Sequence, residues 1–166
     1  MADCVQYAIE RVQYKDRSKS RQMNGNEHVG VAVEQVFIGV DPGEKRVGIA
    51  YKPAGSIHAE PLVVLENGDD IFDRIIKIAQ DYKADCIIVG LPRDSNGNDT
   101  TQTKIARGFG GDLADASGMH VIMYDEFDTS HRARVRLGAK TRAEEKKRLD
   151  AFAAAILIED YLEGLV

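Results

Sequence analysis

The stretch FIGVDPGEKRVGIAYKP, residues 37–53, decides how the rest of the chain is read. The apolar run from Phe37 to Val40 has the character of a buried strand, and it delivers a carboxylate, Asp41, into a Pro42-Gly43 turn. A second run, Val47-Gly48-Ile49-Ala50-Tyr51, reads as the partner strand. Aspartate before Pro-Gly is commonly a turn former. The other reading is that an acid at the inner end of a buried strand is there for chemistry, and the remaining segments bear on the choice.

Beyond the hairpin, PLVVL at 61–65 predicts a third, shorter strand. Residues 69–82 carry Ile71, Phe72, Ile75, Ile76 and Ile78-Ala79 at helical spacing, with Asp69 and Asp70 suited to the helix start. DCIIVGLP predicts a fourth strand, ended by Gly90 and Pro92, and the polar loop RDSNGNDT leads into a helix over about 99–116. MHVIMYDE predicts a fifth strand, residues 129–137 a short helix, and 142–163 a long one. Three strands joined by hairpin-like turns, followed by strands alternating with helices, imply an α/β fold: a five-stranded mixed sheet with helices on both faces. Residues 1–34 differ from this pattern. Their five basic residues are matched by five acidic ones and lead into the polar run QMNGNEH, so they read as an N-terminal appendage to a domain at 35–166.

A chain of 166 residues suits one such domain, and 43% hydrophobic with 30% charged residues is ordinary for a globular protein. No run approaches a membrane span, so no membrane partner is expected. Two cysteines, Cys4 and Cys86, form no metal spacing or disulfide framework, which fits a reducing cytoplasm; Cys86, within DCIIVG, reads as a buried thiol.

Sites in α/β sheets gather at the carboxyl ends of parallel strands. Asp41 ends the first strand there, GLPRDSNG follows the fourth, and Asp125 and Glu126 end the fifth. A further acid, Asp150, opens the apolar helix LDAFAAAILIEDYL; Leu149, Ala153 and Ile156 mark its expected buried stripe, with Asp150 at the edge beside Ala154 and Leu157. Each acid also has an ordinary reading, Asp125 or Asp128 as a helix cap and Asp150 as a first-turn acid. Together, however, clustered carboxylates repel one another and resist burial unless a cation neutralises them. Hard oxygen donors suit Mg2+ or Mn2+, and a pair of such ions is the usual device for phosphodiester displacement.

The charge map agrees. Net charge is −5, yet between His131 and Arg148 lie eight basic residues (Arg132, Arg134, Arg136, Lys140, Arg142, Lys146, Lys147 and Arg148) against Glu144 and Glu145. A run of this kind is often only a solvated face; between two candidate ligands it reads as a surface that tracks phosphates, with Lys45 and Arg46 adding contacts beside Asp41. The chain has no Trp, so base stacking is not signalled and recognition of backbone and shape is expected.

In this order and spacing, IGVDPGEKRVGIA, PLVVL, IIVGLPRDSNG, YDEFDTS and LDAFAAAILIEDYL resemble the YqgF/RuvX family over about residues 36–163. The resemblance implies an RNase H-like fold and a metal-dependent endonuclease, described for this family as a pre-16S rRNA nuclease or a Holliday-junction resolvase. Carried over by position, the family's catalytic acids fall on Asp41, Glu126 and Asp150, and its Lys-Arg pair on Lys45-Arg46. The Arg that usually follows Asp-Glu is Phe127 here, and Asp94 adds a negative charge near the loop after Gly-Leu-Pro.

The expectation is therefore a cytoplasmic hydrolase that cuts structured nucleic acid with Mg2+ or Mn2+. Asp41, Glu126 and Asp150 hold the ions, while Lys45, Arg46, Arg132, Arg134, Arg136, Lys140, Arg142 and Lys147 hold the backbone. Precursor 16S rRNA is favoured over a four-way DNA junction, because two symmetric cuts need a two-fold dimer and nothing in the sequence advertises one, so monomer and dimer both stay open. A non-catalytic nucleic-acid-binding module is the rival from another class. An actin-like ATPase is excluded, since it needs a second comparable domain.

Overall fold

The structure, a computed structural model, describes residues 12–15, 34–94, 96–126 and 142–164, and for 12–15, 126 and 142–147 the backbone alone. In chain order the elements are β1 (Val12–Lys15), β2 (Phe37–Pro42), β3 (Arg46–Lys52), β4 (Glu60–Glu66), α1 (Ile71–Asp81), β5 (Cys86–Pro92), α2 (Thr101–Ser117), β6 (His120–Glu126) and α3 (Arg142–Glu163). The short helix expected at 129–137 lies outside the described residues. The strands lie in the order β1-β6-β5-β2-β3-β4, with β3 antiparallel to both neighbours and the β2-β5-β6-β1 ladders parallel. The five expected strands are all present in one mixed sheet. A sixth, β1, comes from the segment read as an appendage and pairs Val12–Lys15 with Val121–Tyr124.

Strand alternation sorts the core into two layers. On one face Phe37, Ala50, Ile88, Ile122 and Tyr124 pack against Ala154, Leu157 and Ile158 of α3. On the other, Ile38, Val40, Val47, Ile49, Ile87, Val89 and Val121 pack against Ile71, Ile75 and Ala79 of α1 and Leu113 and Ala114 of α2. Parallel strands buried on both sides need continuous apolar runs, which is why VFIGV and CIIVG lack polar alternation. Each such Ile or Val contributes roughly 1.5–3 kcal/mol through burial.

On α3 the expected stripe is buried at Ala153 and Ile156 and half-buried at Leu149, but it is not the face that meets the sheet. The face on the sheet follows Ala151, Ala154, Leu157, Ile158 and Leu162, whereas Leu149, Phe152, Ala153 and Ile156 form a separate small cluster. The stretch of α3 from Leu149 to Ile158 is apolar on nearly every side and so carries little rotational signal, and the approach of α3 to the glycines of β2 and β3 sets its phase. Asp70 sits at the N-cap of α1 as expected, but its side chain caps nothing and instead faces Arg74 at 3.8 Å. The α2 N-terminus has a reciprocal capping box between Thr100 and Thr103, and the Thr103 hydroxyl also donates to the Pro92 carbonyl, fastening α2 to the end of β5.

At the opposite end of the sheet from Asp41, Lys52 is fully buried, donates to the Gln35 carbonyl at 2.5 Å and lies 5.1 Å from the centre of the Phe37 ring. Burial pushes its pKa down to about 8. Cys86 is a buried free thiol, as expected.

Candidate active site

Asp41 occupies the fifth position of β2, directly opposite Gly48 of β3. By alternation Phe37, Gly39 and Asp41 share the face covered by α3. The hairpin is closed by Gly43 N–H donating to the Arg46 carbonyl at 2.9 Å. Asp41 is thus a strand residue lying before the turn, not the residue that forms it.

The second acid arrives by close helix packing. A Cβ added at Gly48 would stand 2.0 Å from the Asp150 carbonyl oxygen and 2.2 Å from its carbon, and one at Gly39 would stand 2.6 Å from the Ala154 carbonyl. The α3 backbone therefore rests on two glycines, one turn of helix apart on one side and neighbouring strands on the other. Because Gly48 is also the pairing partner of Asp41, the position that lands on it, Asp150, comes beside Asp41. The glycines of the strands are what allow this close approach.

The two carboxyls are in unequal surroundings. Asp150 accepts a hydrogen bond from Arg46 Nε at 2.8 Å. Among the described residues nothing donates a hydrogen bond to the Asp41 carboxyl. Its pKa is raised from 3.8 to about 7, first by burial and then by the negative charge of Asp150. Both acids open onto a hollow of about 230 Å³ lined also by Gly43, Glu44, Lys45 and Arg46. The wall of the hollow is braced from β4's end: Asn67 donates through its side-chain amide to the Gly43 carbonyl at 2.9 Å and through its backbone to the Lys45 carbonyl at 3.0 Å.

Position 126 ends β6 opposite Pro92, and alternation from Ile122 and Tyr124 sets it on the α3 face, the face of Asp41 and Asp150. The Glu126 side chain lies outside the described residues. Asp125 belongs to the other face and is already engaged. Its Oδ1 accepts from Arg93 Nε at 2.9 Å and Nη2 at 2.8 Å. Arg93 also bonds Asp99, which accepts from Arg107 at 2.7 Å. This charge chain engages Asp125 on the face away from Asp41 and Asp150; the helix that Asp125 was considered to cap lies outside the described residues. Removing Arg93 leaves a half-buried carboxylate unpaired, so Arg93→Met is expected to cost about 1–2 kcal/mol, most of it recovered in the Arg93→Met/Asp125→Asn double variant. Urea unfolding of the four-protein cycle measures this.

Asp94 keeps its charge within its own loop, accepting from the Asn96 and Asn98 backbone N–H groups at 2.9 and 2.8 Å, and these bonds lower its pKa. Of the basic residues expected to hold backbone phosphates, Lys45 and Arg46 line the hollow. Arg132, Arg134, Arg136 and Lys140 lie outside the described residues, as do the side chains of Arg142 and Lys147. Sequence reasoning missed Gly48, Asn67 and Arg93. A glycine inside a strand pattern was the available signal for the first; long-range partners of Asn67 and Arg93 leave no local trace.

The donor set fits a hard divalent cation. A half-buried carboxyl with no hydrogen-bond donor among the described residues, beside a second carboxylate, is unfavourable alone and favourable around such an ion. Among the described residues no group of three His, Cys, Asp or Glu side chains comes together, so Asp41 and Asp150 are the described part of any such set.

Comparison with known proteins agrees in extent with these elements. A family model described as "RuvX: Holliday junction resolvase" matches residues 35–164. A protein of Paraburkholderia phymatum is 34% identical over 134 residues, covering 80% of this chain and 87% of its own length. One from Lactococcus lactis subsp. cremoris is 30% identical over 134 residues, covering 77% and 94%, and one from Shewanella denitrificans 31% over 138 residues, covering 81% and 98%. All three carry the name "Putative pre-16S rRNA nuclease". A solved structure, T. thermophilus RuvC in complex with Holliday junction substrate, aligns over 74% of this chain and 91% of that one with a TM-score of 0.48 and 19% identity.

Proposed function

The chain belongs to the RuvX family, and from that footing we propose that it cuts the 5′ extension of precursor 16S rRNA, with Asp41, Asp150 and Glu126 as the residues that hold Mg2+ or Mn2+. The observation that carries this reading is the half-buried Asp41 carboxyl, which has no described hydrogen-bond donor, sits beside Asp150 and faces an open hollow with basic residues on its wall. A pure binding module gains nothing from carboxylates facing phosphates, whereas a nuclease needs them. When bound, the ions supply water activation and charge neutralisation for in-line phosphodiester displacement. The chain's own residues do the rest. Asp41 and Asp150 fix oxygen donors against a rigid sheet, and the Asn67-braced turn presents Lys45 and Arg46 to the nucleic-acid backbone. The basic residues between 132 and 148 add positive charge for the same backbone.

The relatives' shared name favours RNA, and the family description keeps four-way DNA as the second reading. Among the described residues no helix is long and apolar enough to cross a membrane, and the reading places the protein with precursor rRNA in the cytoplasm. Purified protein with Mn2+, given 5′-extended 16S precursor RNA, is expected to cleave it; Asp41→Asn and Asp150→Asn lower the rate by about a thousandfold, the size of a several-kcal/mol metal contribution. Cleavage of a four-way DNA junction alone moves the assignment to the resolvase. Equal RNA binding by wild type and Asp41→Asn with no cleavage of either substrate overturns the nuclease.

A further inference from the structure

Arg46 begins β3 with its guanidinium on Asp150, and its side chain is about a third exposed, at 34%. The contact gives Asp150 a cation from the chain itself, while Asp41 has none among the described residues. An Asp150 oxygen engaged by a guanidinium cannot lend its full charge to a metal ion. The backbone of Asp150 is packed directly on Gly48, so its contact with the sheet fixes where Asp150 stands. The mobile partner is therefore the long Arg46 side chain, which borders the open hollow next to Lys45.

Resting on the nuclease reading above, we propose that Arg46 is a resident counter-ion for Asp150 that a divalent ion displaces, the freed guanidinium then passing to a substrate phosphate. Arg46 is on this account a positioning residue whose two partners exclude each other in time. A half-exposed ion pair is weak, and a divalent ion shared by two carboxylates outcompetes it. The exchange keeps the acid pair partly neutralised before the metal arrives. It also couples metal uptake to substrate, because a phosphate that captures Arg46 vacates Asp150, and such coupling is reciprocal. The opposing account, in which Arg46 only orients Asp150 for the metal, predicts the reverse effect of its removal.

The test is Mn2+ affinity of the full-length protein by titration calorimetry, without nucleic acid and with a short RNA duplex. Arg46→Gln is expected to bind Mn2+ about three- to tenfold more tightly than wild type, while its metal-free form melts at lower temperature. Arg46→Lys retains a competing charge and stays nearer wild type. Lys45→Gln removes the same charge from the same turn without breaking the Asp150 contact, and is expected to change affinity less than Arg46→Gln does. The duplex is expected to tighten Mn2+ binding more in wild type than in Arg46→Gln. Weaker or unchanged affinity in Arg46→Gln, or an equal duplex effect in both proteins, overturns the exchange and leaves the nuclease reading standing. No Mn2+ binding by wild type overturns both.

Discussion

Asp41→Asn will stabilise the metal-free protein at pH 7.5 by on the order of 2–4 kcal/mol, while removing its activity. The carboxyl has a pKa raised from 3.8 to about 7 by burial and by Asp150, and each unit of such a shift corresponds to about 1.4 kcal/mol. In the window between those values the native state holds a proton that the unfolded chain has lost. Native stability from this group is therefore fully present below pH 3.8, falls as pH rises through the window, and is gone above about 7. Urea midpoints of wild type are expected to decline over that window and those of Asp41→Asn to decline much less. Saturating Mn2+ restores wild type at neutral pH, because the ion binds the ionised form. Identical pH profiles for the two proteins would show that Asp41 carries no such cost, and the site would lose its electrostatic basis. A position whose native residue lowers stability is what a functional site looks like energetically.

The second large effect concerns a residue with no chemistry of its own. Gly48→Ala places a methyl group 2.0 Å from the Asp150 carbonyl oxygen and 2.8 Å from the Ala151 nitrogen, all backbone atoms of a helix packed along its length. No rotamer change relieves this. Either α3 moves away from β3 or β3 bends, and the expected cost is roughly 3 kcal/mol, at the upper end for overpacking. Asp150 moves with the helix, so cleavage is expected to fall at least about a hundredfold in whatever fraction remains folded. Gly39→Ala meets the Ala154 carbonyl at 2.6 Å and the flexible tip of Ile158, farther along the helix, and is expected to lose stability with a smaller loss of rate. Equal rates for wild type and Gly48→Ala at full folding would separate Asp150 from the catalytic set.

Much of this arrangement is legible in the residues. Continuous apolar runs at VFIGV and CIIVG require strands covered on both faces, and the hairpin around Pro42-Gly43 requires β3 to run against β2. Asp41 at the end of such a run already faces the edge where α/β sheets do their chemistry. The acid of the fifth strand was ambiguous between Asp125 and Glu126 on physical grounds, and only the family resemblance chose between them. Alternation across the folded sheet gives an independent reason, since Asp125 lies on the α2 face with Arg93.

The sequence by itself determined five of the six described strands, the three described helices, the mixed sheet and the edge at which the acids collect, because burial period and turn chemistry are local properties of the chain. Only the tertiary structure decided the rotation of α3, the descent of Asp150 onto Gly48, the Arg46–Asp150 pair and the bracing of the turn by Asn67. It also drew β1 into the sheet beside β6, from a segment whose mixed charge gave no strand signal. Those contacts join residues far apart in the chain, 104 positions for Arg46 and Asp150 and more for β1 and β6. They depend on how closely two backbones can approach, a quantity set by a missing Cβ on one element and invisible from the sequence of the other.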